Sequence, residues 1–288
     1  GVGYSALGAN TTGADNVAVG KDVLDANTTG GANVGMGFNA LGANTTAIYN
    51  TAIGTRAAET NTTGTENTAI GGLALRYNTT ADANTAVGYA ALTTNTTGYN
   101  NAAVGKDALK DNTTGHSNAT LGTSALANNT TGANNTAVGH APLFDNTTGG
   151  NNTALGYLAL GDNTTASDNV AVGYEALRAN TTGHSNTTIG KGSGGATTTG
   201  YSNLFLGFAA GNYSVLNTTG TQNIILGAYS RATAADATGA IAIGYDVAGA
   251  AGYTTLGKSG SDIRAAHGNI TWATVSDERY KKDIVDST

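Results

Sequence analysis

The chain contains no cysteine, which excludes a disulfide framework and every thiolate metal site. Hydrogen-bonded ladders and packing must hold the fold instead. Charged residues are 11% of the 288, against about 25% in an ordinary soluble domain, and aromatics only 6%. Neither a nucleic-acid-binding surface nor an aromatic-rich enzyme core is expected from that composition. With 13 Lys and Arg and a net charge of −6, the chain lacks the clustered positive charge that phosphate backbones and anionic membranes require. No stretch approaches the roughly 18 consecutive apolar residues of a membrane span. No basic segment followed by an apolar one opens the chain. Proline occurs once, whereas glycine occurs 43 times, roughly twice its usual share of about 7%.

What is present is a repeat. Asn-Thr-Thr begins at Asn10, Asn27 and Asn44 and recurs at a 17-residue step to Asn180. Gly3, Gly20, Gly37 and their successors to Gly207 keep the same step, as do Asn16, Asn33, Asn50 and theirs to Asn203. The unit reads N-x-A-V/I-G-x-x-A-L-x-x-N-T-T-G-x-x. It is too short for a helix pair, and heptads do not divide it, so a coiled coil is excluded. The length suits one coil of an all-β, parallel β-solenoid (β-roll). In such a coil N-x-A-V-G forms a short strand, the Gly column takes turns with φ > 0, and the Asn columns stack as amide ladders. Coils stacking within one chain would put 12 periods into about 58 Å, whereas three interleaved chains would stretch them toward about 170 Å. Self-stacking ladders favour the first.

Each coil offers little apolar volume, so a lone solenoid would have a thin core and an exposed Val/Leu stripe. A homotrimer packing those stripes around a common axis would bury it. The period is regular over 1–207, and 208–257 reads as irregular coils. A β-rich neck is expected over 258–275, and a different module from 276, because the last 12 residues hold 7 of the 32 charged residues. Gly1-Val2-Gly3 matches the tail of the unit, so the chain reads as a fragment of something longer.

The run Ser276-Asp277-Glu278-Arg279-Tyr280-Lys281-Lys282-Asp283-Ile284 resembles the opening of the self-cleaving intramolecular chaperone domain of phage tail spikes and tail fibres of the endosialidase type. It matches every fixed position of that family's Ser-Asp-x-Arg-x-Lys-x-x-Ile motif. The resemblance implies a trimerising domain that nucleates folding of the fibre before it and then removes itself. By the same resemblance Ser276 is the nucleophile and Lys281 its base. A desolvated lysine has the chemistry to activate a serine hydroxyl. Only 12 residues follow Ser276, so most of that domain is expected to be missing. The repeats are similar to the Asn-Thr-Thr-Gly arrays that precede such domains. Their N-x-A-V/I-G core resembles the left-handed, trimeric β-roll heads of trimeric autotransporter adhesins.

Other chemistry finds little support. His116 and His184 share a column but lie four coils apart, and the acids form no recurring pair, so no metal, cofactor or glycosidase-like site is expected. Asn-Thr-Thr satisfies the N-x-T glycosylation sequon at each coil, which would matter only on a eukaryotic secretory route. Threonine ladders raise an ice-binding alternative, weakened because adjacent threonines point to opposite faces. The column after the Gly includes Tyr4, Phe38, Tyr89, Tyr157, Tyr174 and Phe208. It is expected to face solvent and is the candidate contact surface for a host glycan or protein receptor. The expected function is therefore that of a structural and adhesive fibre segment, on a virion or at a cell surface. It would not be enzymatic beyond the cleavage junction, and it would bind no nucleic acid and insert in no membrane. The alternative is a bacterial or giant-virus appendage with the same shaft.

Overall fold

The computed structural model describes residues 1–268 and 273–274. They form two units, Gly1–Thr165 and Ala166–Thr288. Secondary structure in both is β, with no helix among the described residues. In the first unit three-residue strands recur from Val17–Val19 to Thr153–Leu155, neighbouring strands of the unit pairing in parallel at a 17-residue step. The register Val17↔Val34, Ala18↔Gly35, Val19↔Met36 makes each repeat one coil stacked on the next coil of the same chain. This is the β-solenoid expected from the period, in its single-chain form.

Only the middle residue of each strand points inward. Ala18, Ala52, Ala69 and Ala86 are buried, whereas the third residue, such as Val19, Met36, Ile53 or Ile70, stands 38–40% exposed. Alternation demands this in a three-residue strand, and the narrow coil admits only a small side chain from the sheet side. The leucine of Ala-Leu fills the remaining space from the opposite turn. Leu24, Leu41, Leu75, Leu92 and Leu109 have no exposure at all, and each contributes about 1.5–3 kcal/mol by leaving water. The expected exposed Val/Leu stripe is thus corrected: the leucines belong to each coil's own core, and the outward stripe is made by the Val/Ile position alone. The leucine turns inward because its backbone is left-handed, with φ 51 at Leu24 and 52 at Leu41.

The other half of the core is amide. Asn27 Nδ2 donates to Gly30 O at 3.0 Å and to Asn10 Oδ1 at 2.7 Å. Asn44 Nδ2 donates to Asn27 Oδ1 at 2.7 Å, and the column continues in this way. In the second column Asn50 N donates to Asn33 Oδ1 at 2.9 Å, and Asn50 Nδ2 donates to Gly64 O at 2.9 Å. Buried amides are tolerated because donor and acceptor are both used. In the adjoining Thr-Thr, the first hydroxyl is spent on the next coil, as in Thr28 Oγ1 to Thr45 O at 3.1 Å. The second threonine, such as Thr29 or Thr46, is exposed.

The second unit opens on the same coil, with parallel strands Val170–Val172, Thr187–Ile189, Leu204–Leu206 and Ile224–Leu226. Its core is filled differently. At Gly194 and Gly211 the Leu column is empty, and Phe205 stands where a strand alanine is expected, fully buried. A Cβ at Gly194 would lie 2.8 Å from Phe205 Cδ2, and one at Gly211 3.0 Å from Cδ1. One large ring has therefore replaced two leucines. The first unit makes a smaller exchange, Val23 in an alanine column against Gly35, where an added Cβ would lie 2.5 Å from Val23 Cγ1. In the second unit Thr197 interrupts the Asn column, and the buried Nδ2 and Oδ1 of Asn217 have no hydrogen-bond partner among the described residues. The three-residue lengthening there is a small hairpin, Asn212–Tyr213 against Val215–Leu216. Pairing turns antiparallel where Tyr253–Lys258 meets Ile263–Ala266, which in turn meets Ala273–Thr274.

Candidate functional site

The sequence marks two places for function, and they fare differently. Ser276 and Lys281 lie outside the described residues. The aromatic column after the Gly lies on the surface as expected, with Tyr4, Phe38, Tyr89, Tyr157, Tyr174 and Phe208 all exposed. Its members are partnered along the column. Lys21 Nζ sits 5.8 Å from the Tyr4 ring centroid and 5.7 Å from that of Phe38. Lys191 Nζ lies 5.3 Å from the Tyr174 ring, and His140 stacks on Tyr157 at 5.5 Å. Tyr89 lies against the space left by Gly72, and Phe208 meets Tyr229, one residue beyond the column in the next coil, edge-on at 5.1 Å. Such cation–π and stacked pairs are worth about 0.5–1 kcal/mol at exposed sites, so the column also braces neighbouring coils.

The outward strand position forms a second surface. In the first unit Val2, Val19, Met36, Ile53, Ile70, Leu121 and Leu155 are exposed large apolar residues of one column, aligned by the 17-residue register. A continuous apolar row on a surface otherwise made of Thr, Asn and Gly is the kind of patch that marks an interaction face.

A third feature escaped the sequence pattern. The two residues after Thr-Thr-Gly/Ala are small or polar in most coils, and the second is left-handed, with φ 61 at Asp15, 55 at Ala32 and 61 at Tyr49. Ala14-Asp15 and Gly31-Ala32 leave a depression next to Ile48-Tyr49. Together with Thr12 and Thr29 these residues line a groove of about 300 Å³. The signal was present as the one aliphatic-aromatic pair in its two columns, but nothing in the period says that a gap lies beside it. In these columns, too, His116 stacks on Tyr99 at 4.8 Å and His184 on Tyr201 at 4.9 Å.

No group of three His, Cys, Asp or Glu residues that could hold a metal ion occurs among the described residues. Among the described residues no helix is long and apolar enough to cross a membrane. Near the end of the second unit Arg231 pairs with Asp246. Burial, and then the Asp246 carboxylate, push Asp262 above the ordinary aspartate range, while Arg231 pulls it down. No family model, curated protein or solved structure matches the chain.

Proposed function

We propose that this chain is a shaft segment of a trimeric, phage-type tail fibre, carried on a virion or at a cell surface, that spaces and attaches. It leads into a self-cleaving trimerisation chaperone. The observation that supports this reading is the apolar Val/Ile row on the outside of a coil whose interior is already full. The row does nothing for the single chain, since its side chains leave the coil, and a cyclic assembly of three copies would bury it. In dilute solution the chain is expected to sediment at about three times its 28.4 kDa. Replacing Ile53 and Ile70 together by Asp should yield a folded monomer, because both side chains point away from the interior. A wild-type monomer, or an Ile53→Asp/Ile70→Asp variant of unchanged mass, would remove the trimer.

The second part of the proposal rests on the run from Ser276 to Ile284. In a longer chain that carries the domain this run opens, cleavage is expected at the Ser276 peptide junction without added protease, Ser276 supplying the nucleophile and Lys281 the base. Ser276→Ala should leave uncut protein that still assembles, as should Lys281→Ala. Gel analysis of purified protein reads both. Efficient cutting of the Ser276→Ala chain would discard the nucleophile, and efficient cutting of Lys281→Ala would discard the pair.

A further inference from the structure

We infer that the groove between Tyr49 and Asp15 is a binding site for an uncharged pyranose unit of a glycan. The inference rests on the adhesive part of the reading above and gives it a place and a ligand class. Tyr49 is 62% exposed and Ile48 39%, so neither contributes much to the core. Tyr49 also holds φ 61, a region costly for a bulky side chain and better suited to glycine, asparagine or aspartate. Equivalent positions in other coils carry such residues, among them Asp15, Asn100 and Asp168.

Other residues lining the groove have the complementary chemistry. Asp15 has no ion-pair or hydrogen-bond partner for its carboxylate among the described residues, and the side-chain hydroxyls of Thr12 and Thr29 make no hydrogen bond there either. The contrast is with Asp82, whose Oδ1 accepts from Thr65 N at 2.7 Å and from Thr65 Oγ1 at 3.1 Å. The remaining lining residues, Ala14, Gly31 and Ala32, are too small to fill it. An exposed aromatic ring and oxygens without protein partners, lining one shallow groove, suit a ligand with one apolar face and a polar rim. A pyranose has that form: its axial C–H groups cover an aromatic face, and its hydroxyls can donate to Asp15 and exchange bonds with the two threonines. Acidic sugars fit poorly, because Asp15 would repel their carboxylate and no lysine or arginine lines the groove.

Saturation-transfer NMR on the full chain, with the methyl glycosides of glucose, galactose, mannose and N-acetylglucosamine, tests this, with sialyllactose as the acidic probe. At least one neutral glycoside should bind with a Kd near or below about 1 mM, as befits a single shallow subsite. Tyr49→Gly should weaken that binding tenfold or more, and Asp15→Asn at least severalfold. Glycine is at ease at φ 61, so Tyr49→Gly should melt no lower than the parent, and loss of binding could not be attributed to unfolding. Absence of binding by all four at about 10 mM, or equal affinity in Tyr49→Gly, would overturn the site. So would tighter binding of sialyllactose than of the neutral sugars. A trimer that binds none of them would remove the groove and leave the shaft. A monomer whose neutral-sugar binding fails with Tyr49→Gly would keep the groove without the trimer.

Discussion

Phe205→Ala should lower stability by about 3–5 kcal/mol, the usual cost of emptying a large buried ring. The ring is fully buried, and its neighbours cannot close in. Gly194 and Gly211, which face it, have no side chains, and backbone ladders on both sides hold the coil at its spacing. The variant should show a denaturant midpoint well below the parent's with little change in slope. A rescue distinguishes this packing from mere sensitivity. Gly194 has φ 60 and Gly211 φ 72, close to the values that leucines adopt elsewhere in that column. Phe205→Ala combined with Gly194→Leu and Gly211→Leu should therefore recover much of the loss, whereas Gly194→Leu alone should destabilise against the intact ring. Additive effects in this cycle would show that the three positions are not coupled.

Gly88→Ala should cost more than about 3 kcal/mol, because two penalties act at one atom. Its φ is +134, and an added Cβ would lie 2.5 Å from Gly105 O in the next coil. That oxygen cannot retreat without opening the ladder, since the strands beside it, Thr85–Val87 and Ala102–Val104, are paired. In a stacked array each repeat is stabilised by its neighbours, so the damage should split one cooperative unfolding step into two. Hydrogen exchange should show loss of protection centred on residues 71–105, with distant coils unchanged. Gly72→Ala is the control: it has no positive φ, and its nearest contact is the Tyr89 ring at 3.5 Å. A Gly88→Ala chain as stable as Gly72→Ala would refute the steric account.

The coil was legible because its signals are one-dimensional. Asn27 and Asn33 reappear every 17 residues, as an amide must if it is to donate to its own kind one coil away. Gly88 and its column recur because a backbone that must approach the next coil has no room for a Cβ. Leu24 was misplaced for an equally definite reason. Period-two alternation gives the direction of a strand side chain, but Leu24 sits in a left-handed turn, where alternation does not apply. Tyr4 and Phe38 stand out in the sequence because their column also admits Lys, Thr, Gly and His, as an outward position does, whereas Ile48 and Tyr49 are one irregular pair and look like ordinary variation in a repeat.

The sequence by itself therefore determined the all-β solenoid, the 17-residue coil, the stacking columns of Asn and Gly, and the exposure of the aromatics that follow the Gly column. A repeating contact between equivalent residues leaves an identical mark in each repeat. Only the tertiary structure decided which apolar residue lies inside, how Phe205 answers Gly194 and Gly211, how Val23 answers Gly35, and that a groove opens between Asp15 and Tyr49. Each of these is a contact between different columns, separated along the chain by distances that follow from the shape of the coil. Packing density, which tolerates neither overlap nor void, sets them, and no period records it.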